Sequence, residues 1–162
     1  MAETKTVPQS TSDPDVASGV AQFLGPVVTD LTALSIDGKQ AHWHVRGANF
    51  QAVHELLDSV VDHARDYADT AAERVVALGL PIDARTQTVG TKATTPVMTA
   101  GFQQSDAVIT EVIAAIDATL VTVRTAVTEL GELDPVSQDV AIEIARGLEK
   151  DRGFLFAHLA GQ

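Results

Sequence analysis

Cysteine is absent from the 162-residue sequence, which excludes a disulfide framework and any thiolate metal site. Aromatic residues are scarce, at 4% of the chain. No uninterrupted apolar run approaches the length of a membrane span, and the N-terminus lacks the apolar segment of a secretory signal. We therefore expect a cytoplasmic protein with no membrane partner.

Basic residues are also few, with 11 Lys and Arg against 22 Asp and Glu, for a formal net charge of −11. Such a chain attracts cations and repels polyanions. DNA binding through counterion release needs clustered cations, and residues 1–12 contain only Lys5. We predict weak or no DNA binding near neutral pH, and a clear gel shift at moderate salt would contradict this.

Helical periodicity dominates the rest of the sequence. Residues 1–12 are polar and aperiodic, which predicts a disordered tail, and residues 13–162 are expected to form one domain. Apolar residues recur at intervals of three and four in four long segments. The predicted helices begin after Asp13, at Asn49, at a Ser105 cap and after Asp134. This pattern predicts an all-α four-helix bundle.

The connection between helices two and three, residues 79–104, is long enough to cross from one end of the bundle to the other. Short links elsewhere make the predicted arrangement ferritin-like. Gly79 and Pro81 mark the end of helix two. Gly25-Pro26 predicts a kink or a restart in helix one. A short helix is possible near Pro96–Gly101.

Four side chains of metal-ligand type share one face of the predicted second helix. His54 and Asp58 are spaced i,i+4, and so are Asp69 and Glu73. At about 100° per residue, all four fall within about 100° around the helix axis. His54 and Asp69 are nevertheless about 22 Å apart along that axis. One helix therefore cannot bring both pairs to a single metal centre.

Two antiparallel copies of this helix, related by a two-fold axis, can do so. If Asp58 faces Asp69 of the partner subunit, then His54 faces Glu73 of the partner subunit, because both pairs of position numbers sum to 127. The sequence thus predicts a symmetric dimer whose interface builds two metal sites.

Asp62 and Arg65 obey the same register, since their position numbers also sum to 127. We predict that Asp62 pairs with Arg65 across the two-fold axis, between the two metal sites. The alternative is that both are solvated surface charges, which would contribute little to stability.

Two segments resemble the Dps family: KQAHWHVRGANFQAVHELLD, which begins at Lys39, and DTAAERVVALG, which begins at Asp69. Its members are the miniferritins also named DNA-binding proteins from starved cells. The C-terminal segment LDPVSQDVAIEIARGLEK resembles actinobacterial members in particular. The resemblance covers most of the chain from Val16 to Leu159, and the H-x11-H-x3-D-x10-D-x3-E spacing is highly specific.

The resemblance implies a dinuclear ferroxidase site, built from His42, His54 and Asp58 of one subunit with Asp69 and Glu73 of its two-fold mate. It supplies His42, which the geometric argument does not. It also implies a hollow dodecamer in which Fe(II), oxidised by hydrogen peroxide or dioxygen, is stored as ferric iron and oxidative damage is limited. Imidazole with hard carboxylates suits Fe(II), and also accepts Zn(II), Mn(II) or Co(II).

Two further residues lie close to His42 in sequence. Trp43 is either a core residue or an electron donor that quenches one-electron oxidants, as the resemblance suggests. Lys39, one helical turn before His42, is either a solvated lysine or a residue that contacts the metal ligands. His44, His63 and His158 have no partner that the sequence identifies, and we interpret them as structural or exposed.

Iron also needs a route inward, and three acidic residues near the start of helix four are candidates. By resemblance, Asp134, Asp139 and Glu143 could line an acidic pore. Asp139 and Glu143 are spaced i,i+4 and share a face, whereas a helix cap is the better interpretation of Asp134.

Other functions remain open from the sequence. A dinuclear His/carboxylate site can activate water, so a metal-dependent hydrolase acting on an amide is an alternative. Nucleoid compaction is disfavoured by the net negative charge and by tails that lack clustered lysines. A metal-free structural shell is disfavoured by the ligand register.

Overall fold

Five α-helices and one short strand pairing form the part of the chain that the structure, a computed structural model, describes: residue 8 and residues 10–159. The elements are α1 (Pro14–His44), β1 (Val45–Arg46), α2 (Phe50–Ala77), α3 (Thr86–Lys92), β2 (Gln103–Gln104), α4 (Ser105–Leu130) and α5 (Pro135–Ala157). The predicted all-α bundle with a long connection between its second and third long helices is confirmed. Most of the predicted disordered tail, residues 1–7 and residue 9, lies outside the described residues.

The predicted helix boundaries rest on local chemistry that the structure reproduces. Asp13 caps α1 by accepting a hydrogen bond from the Asp15 backbone N–H at 2.8 Å, with a proline at the first helical position. Asp134 caps α5 in the same way. Gly79, just past the end of α2, has φ +89°, a conformation that glycine adopts without strain.

Other details differ from what the sequence predicts. Helix α1 continues through Pro26 as a single helix, so no restart occurs there. Ser105 is the first residue of α4, and Gln104 occupies the cap position. The short helix of the crossover is α3, ten residues earlier than the Pro96–Gly101 position that the sequence suggested.

The core lies between the four long helices. Helix α1 packs against α2 and α4, and α5 packs against α4 and α2. Each helix contributes fully buried aliphatic side chains, such as Leu31, Leu57, Ile116 and Leu148. Each such side chain contributes about 1.5–3 kcal/mol on burial, so this core fixes the relative positions of α1 and α2, which carry the candidate site.

The crossover is tied to α1 and α4 by a buried carboxylate. Asp30 accepts hydrogen bonds from the Thr94 backbone N–H and hydroxyl, both at 2.7 Å, and from the Thr122 hydroxyl at 2.6 Å. Further along, β1 pairs in parallel with β2, Val45 opposite Gln103. These contacts hold the crossover beside the junction of α1 and α2.

By length and composition alone, α1 is long and apolar enough to cross a membrane. However, 56% of the relevant stretch is buried inside the structure. The apolar character of α1 follows from its place in the core of the bundle.

Candidate metal centre

The junction of α1 and α2 brings His42 and His54 together. Gly47 makes the turn with φ +118°, and a Cβ there would lie 2.7 Å from the Gln104 side-chain oxygen. The two imidazole rings stack with their centroids 3.6 Å apart and an interplanar angle of 22°. Because L side chains rarely adopt this backbone conformation, the turn that brings α1 and α2 together favours glycine at position 47.

Reciprocal hydrogen bonds fix both imidazoles. The Nδ1 atom of His42 bonds to the His54 carbonyl oxygen at 2.8 Å, and the Nδ1 atom of His54 bonds to the His42 carbonyl oxygen at 2.9 Å. With Nδ1 donating, each Nε2 keeps its lone pair for a metal ion. His42 is only 6% exposed, so its ring is also held by packing.

Asp58 completes the group on this chain. Its Oδ1 atom lies 3.7 Å from the His42 Nδ1 atom and accepts a hydrogen bond from the Lys39 ammonium. The bond from Lys39 lowers the pKa of Asp58, against a smaller opposing effect of burial, and the charges of His42, Lys39 and His54 lower it further. Asp58 is therefore a carboxylate with a cation already beside it, and Lys39 is not simply a solvated lysine.

Asp69 and Glu73 lie on the same face of α2 but at its far end, and both are exposed. Within residue 8 and residues 10–159, no three His, Asp or Glu side chains of one chain are arranged to hold a metal ion. A single subunit thus brings together His42, His54 and Asp58, and it does not bring the other two predicted ligands to them.

Asp62 and Arg65 are exposed between the two ligand pairs. In one chain the Arg65 Nη1 atom lies 3.8 Å from the Asp62 Oδ1 atom. Both side chains face solvent, so an exchange of partners across a two-fold axis stays a prediction.

Trp43 is 61% exposed, so its interpretation as a core residue was wrong for the isolated chain. It lines a groove of about 850 Å³ together with Lys39, Arg65 and the crossover residue Val97. Asp37 also lines this groove, where burial raises the pKa of its carboxyl. The groove therefore lies between α1 and the crossover, and Arg65 is the residue of α2 that lines it.

The candidate pore residues divide into two kinds. Asp134 accepts hydrogen bonds from the Ser137 hydroxyl, from the Ser137 N–H at 3.2 Å and from Arg74 at 2.7 Å. Burial raises the pKa of Asp134, but the bonds from Ser137 and Arg74 together outweigh it and lower the pKa. Asp134 is thus the helix cap, whereas Asp139 and Glu143 are exposed one turn apart on α5. A pore role for them stays a prediction.

His63 has a partner that the sequence does not identify. Its Nδ1 atom lies 3.0 Å and 2.9 Å from the two carboxylate oxygens of Asp151 on α5. The two residues are 88 positions apart, and no periodic pattern in the sequence could link them. His44 bonds through Nδ1 to the Gln40 carbonyl oxygen at 2.9 Å, a local contact within α1.

Comparison with known proteins gives a consistent result. The family model described as a ferritin-like domain matches residues 22–161. The fine tangled pili major subunit of Haemophilus ducreyi is 33% identical over 146 residues, covering 89% of this chain and 77% of that protein. The DNA protection during starvation protein of Mycolicibacterium smegmatis is 32% identical over 143 residues, covering 88% of this chain and 78% of that protein.

Solved structures agree with these relatives. The chain is 60% identical to Dps from Microbacterium arborescens in its high iron form, with a TM-score of 0.90, covering 93% of this chain and 99% of that one. A structure of Mycobacterium smegmatis Dps is 32% identical with a TM-score of 0.87, covering 96% of this chain and 89% of that one.

Proposed function

The chain belongs to the ferritin-like Dps family, and on that premise we propose that it is a miniferritin. It oxidises Fe(II) at dinuclear sites in a dimer interface and stores the ferric product in a hollow shell. The observation that carries the proposal is the pair of anchored imidazoles of His42 and His54, with Asp58 3.7 Å from His42. Asp69 and Glu73 are exposed on the same face of α2.

The split of the ligands supports a site shared by two subunits. Asp69 and Glu73 are too far along α2 to reach His54, and their exposure leaves them free to meet a second subunit. The antiparallel register that would bring Asp58 opposite Asp69 of the partner subunit would also bring Asp62 opposite Arg65. One register thus satisfies both the metal ligands and the opposite charges.

The donor set fits Fe(II) as the substrate. Two imidazole nitrogens and three carboxylates combine borderline and hard ligands, which suit Fe(II), and the carboxylates favour Fe(III) once it forms. Lys39 fills the position of a cation beside Asp58, so it stabilises that carboxylate until iron arrives. Binding of iron to Asp58 would displace this ammonium.

The proposed reaction uses hydrogen peroxide as the oxidant. Two Fe(II) ions each give up one electron, and one hydrogen peroxide takes both electrons and two protons to become two water molecules. Because both electrons are transferred at one site, no hydroxyl radical is released. Trp43, which is exposed and follows His42 in sequence, would donate an electron to any one-electron oxidant that does form.

The storage role requires a closed assembly, which we propose to be a dodecamer built from two-fold dimers. Asp139 and Glu143 are exposed and share a face of α5, so related copies of them could form rings that attract Fe(II) to an entrance.

An iron-oxidation assay tests this function. Protein loaded anaerobically with Fe(II) receives a pulse of hydrogen peroxide, and ferric absorbance is recorded. Asp58→Asn and Glu73→Gln are each expected to lower the initial rate at least about tenfold, because each removes a charged ligand. Glu149→Gln removes one exposed carboxylate that pairs with Arg124 away from the centre, and it should leave the rate unchanged. Unchanged rates in both ligand variants would refute the proposal.

A further inference from the structure

His63 and Asp151 form a second preorganised imidazole, separate from the candidate metal centre. Asp151 is 2% exposed, and its carboxylate receives both of its recorded hydrogen bonds from the His63 Nδ1 atom. The His63 side chain is itself 45% exposed. One edge of the ring is thus anchored in the bundle while the other faces outward.

The anchoring of His63 follows the same pattern as that of the two candidate iron ligands. In His42, His54 and His63 alike, Nδ1 is engaged by an oxygen acceptor. Across the described part of the chain, the Nε2 atom of His63 has no hydrogen-bond partner. The acceptor of His63 is a carboxylate and not a carbonyl group, which makes Nε2 the more basic ligand.

The surroundings of the exposed edge favour a cation. Asp66 lies three residues beyond His63 on α2, a spacing that makes the two side chains neighbours on the helix surface. Asp62, next to His63 in sequence, is also exposed. On the other side, the Tyr67 ring lies tilted by 34° to the His63 ring with 6.1 Å between the centroids, and its hydroxyl fills the space over Gly147 on α5. The exposed edge thus has two carboxylates near it along α2, whereas the charges of Lys150 and Arg146 act on Asp151 and Tyr67 from α5.

We propose that His63 and Asp66 bind a divalent transition-metal ion of the Zn(II), Co(II) or Fe(II) class, with water completing its coordination. His63 lies nine residues after His54, about 13 Å along the helix axis and on the opposite side of α2, so this site is distinct from the dinuclear centre. It does not depend on the oxidation chemistry proposed above.

Asp151 acts in this site as a positioning residue. A carboxylate that accepts the other ring N–H of a metal-bound histidine fixes the tautomer and raises ligand basicity, and its loss typically lowers metal affinity 10- to 100-fold. If the pair were only a structural link between α2 and α5, substitutions at His63 would change stability without changing metal uptake.

Zn(II) binding tests the site in a background with His54→Ala and Glu73→Gln, which silences the dinuclear centre. Isothermal titration of the assembled protein with Zn(II) is expected to show one site per chain that His63→Gln removes. His158→Gln, the matched substitution at a histidine near the end of α5, should not alter it. Asp151→Asn should weaken the site about 10- to 100-fold while it keeps an acceptor for Nδ1.

Crystals soaked in Zn(II) give an independent measurement should Asp151→Asn fail to fold. Anomalous density is expected about 2.0–2.1 Å from the His63 Nε2 atom. The inference is overturned if no density lies at His63, or if His63→Gln leaves the Zn(II) stoichiometry unchanged. Because the readout is binding of Zn(II), its failure would leave the iron-oxidation result untouched.

Discussion

Three aspartates in this chain differ in the hydrogen bonds and charges that stabilise their carboxylates. Asp30 is buried with three hydrogen-bond donors, Asp58 is half-buried beside an ammonium, and Asp151 is buried with one imidazole. Burying a carboxylate is costly unless hydrogen bonds and charges replace its water. Asp151 has the fewest hydrogen-bond donors to replace its water for a carboxylate so deeply buried. We therefore expect its protonation to affect the stability of the folded protein.

Burial raises the pKa of Asp151, and the hydrogen bond and charge of His63 only partly oppose this effect. In the pH range between its unfolded and folded pKa values, the folded state therefore binds more protons than the unfolded state. The stabilising effect of this proton is fully present below the unfolded pKa, about 3.9, and is lost as pH rises through the folded value.

We therefore expect the free energy of unfolding of the wild type, relative to Asp151→Asn, to increase as pH falls from neutral through the folded pKa of Asp151. Urea denaturation of both proteins at a series of pH values measures this difference. Asp139→Asn, which removes an exposed carboxylate from α5, is the control for the loss of one negative charge. A difference that is constant with pH, or that grows as pH rises, would contradict the assignment.

Whole helices were the most predictable part of the structure. Asp13-Pro14, Gly79 and Asp134-Pro135 determine helix ends through short-range chemistry, which a sequence contains in full. The position of α3 and the pairing of Val45 with Gln103 were not predictable, because they depend on how the crossover meets α1. The cap at Asp134 was predictable because its contact with Ser137 spans three residues. The contact of His63 with Asp151 was not predictable because it spans 88 residues.

In the candidate site, too, local contacts were predictable from the sequence and long-range contacts were not. The i,i+4 spacings placed His54 with Asp58 and Asp69 with Glu73 on one face of a helix, since that geometry is local. His42 entered only through the family resemblance, because its position beside His54 depends on the turn at Gly47. The contact of Lys39 with Asp58 was not predictable, because it joins two helices.

The turn between α1 and α2 provides a test at the scale of the element. Gly47→Ala introduces a Cβ at φ +118° that would lie 2.7 Å from the Gln104 side-chain oxygen. We expect it to lower the free energy of unfolding by about 1–3 kcal/mol, measured by urea denaturation.

Gly153→Ala is the matched control for that substitution. Gly153 lies inside α5, and a Cβ there meets no other atom within 4 Å. Alanine should therefore stabilise the protein by up to about 1 kcal/mol. Equal effects of the two substitutions would show that the turn does not require glycine.

For the whole molecule, the shared site predicts complementation between two inactive variants. If Asp58→Asn and Glu73→Gln chains are co-expressed and assemble at random, each mixed dimer contains one site with both substitutions and one intact site. About half of the dimers are mixed, so about a quarter of the wild-type rate of iron oxidation should return.

Each variant expressed alone serves as the control, together with a mixture of separately assembled proteins that cannot exchange subunits. Ligands supplied entirely by one chain would leave the co-expressed protein as inactive as its parents. The ferric absorbance assay with hydrogen peroxide is sufficient for this comparison, with total protein held constant.

The separation of the two ligand pairs along α2 has a consequence for the life of the protein in a cell. A newly made chain has His42, His54 and Asp58 in place but lacks the carboxylates that would complete the centre. Under the proposed function, iron chemistry is thereby withheld from unassembled subunits and begins only when a second copy arrives. Assembly of the shell that receives the insoluble ferric iron would therefore begin before any ferric iron forms.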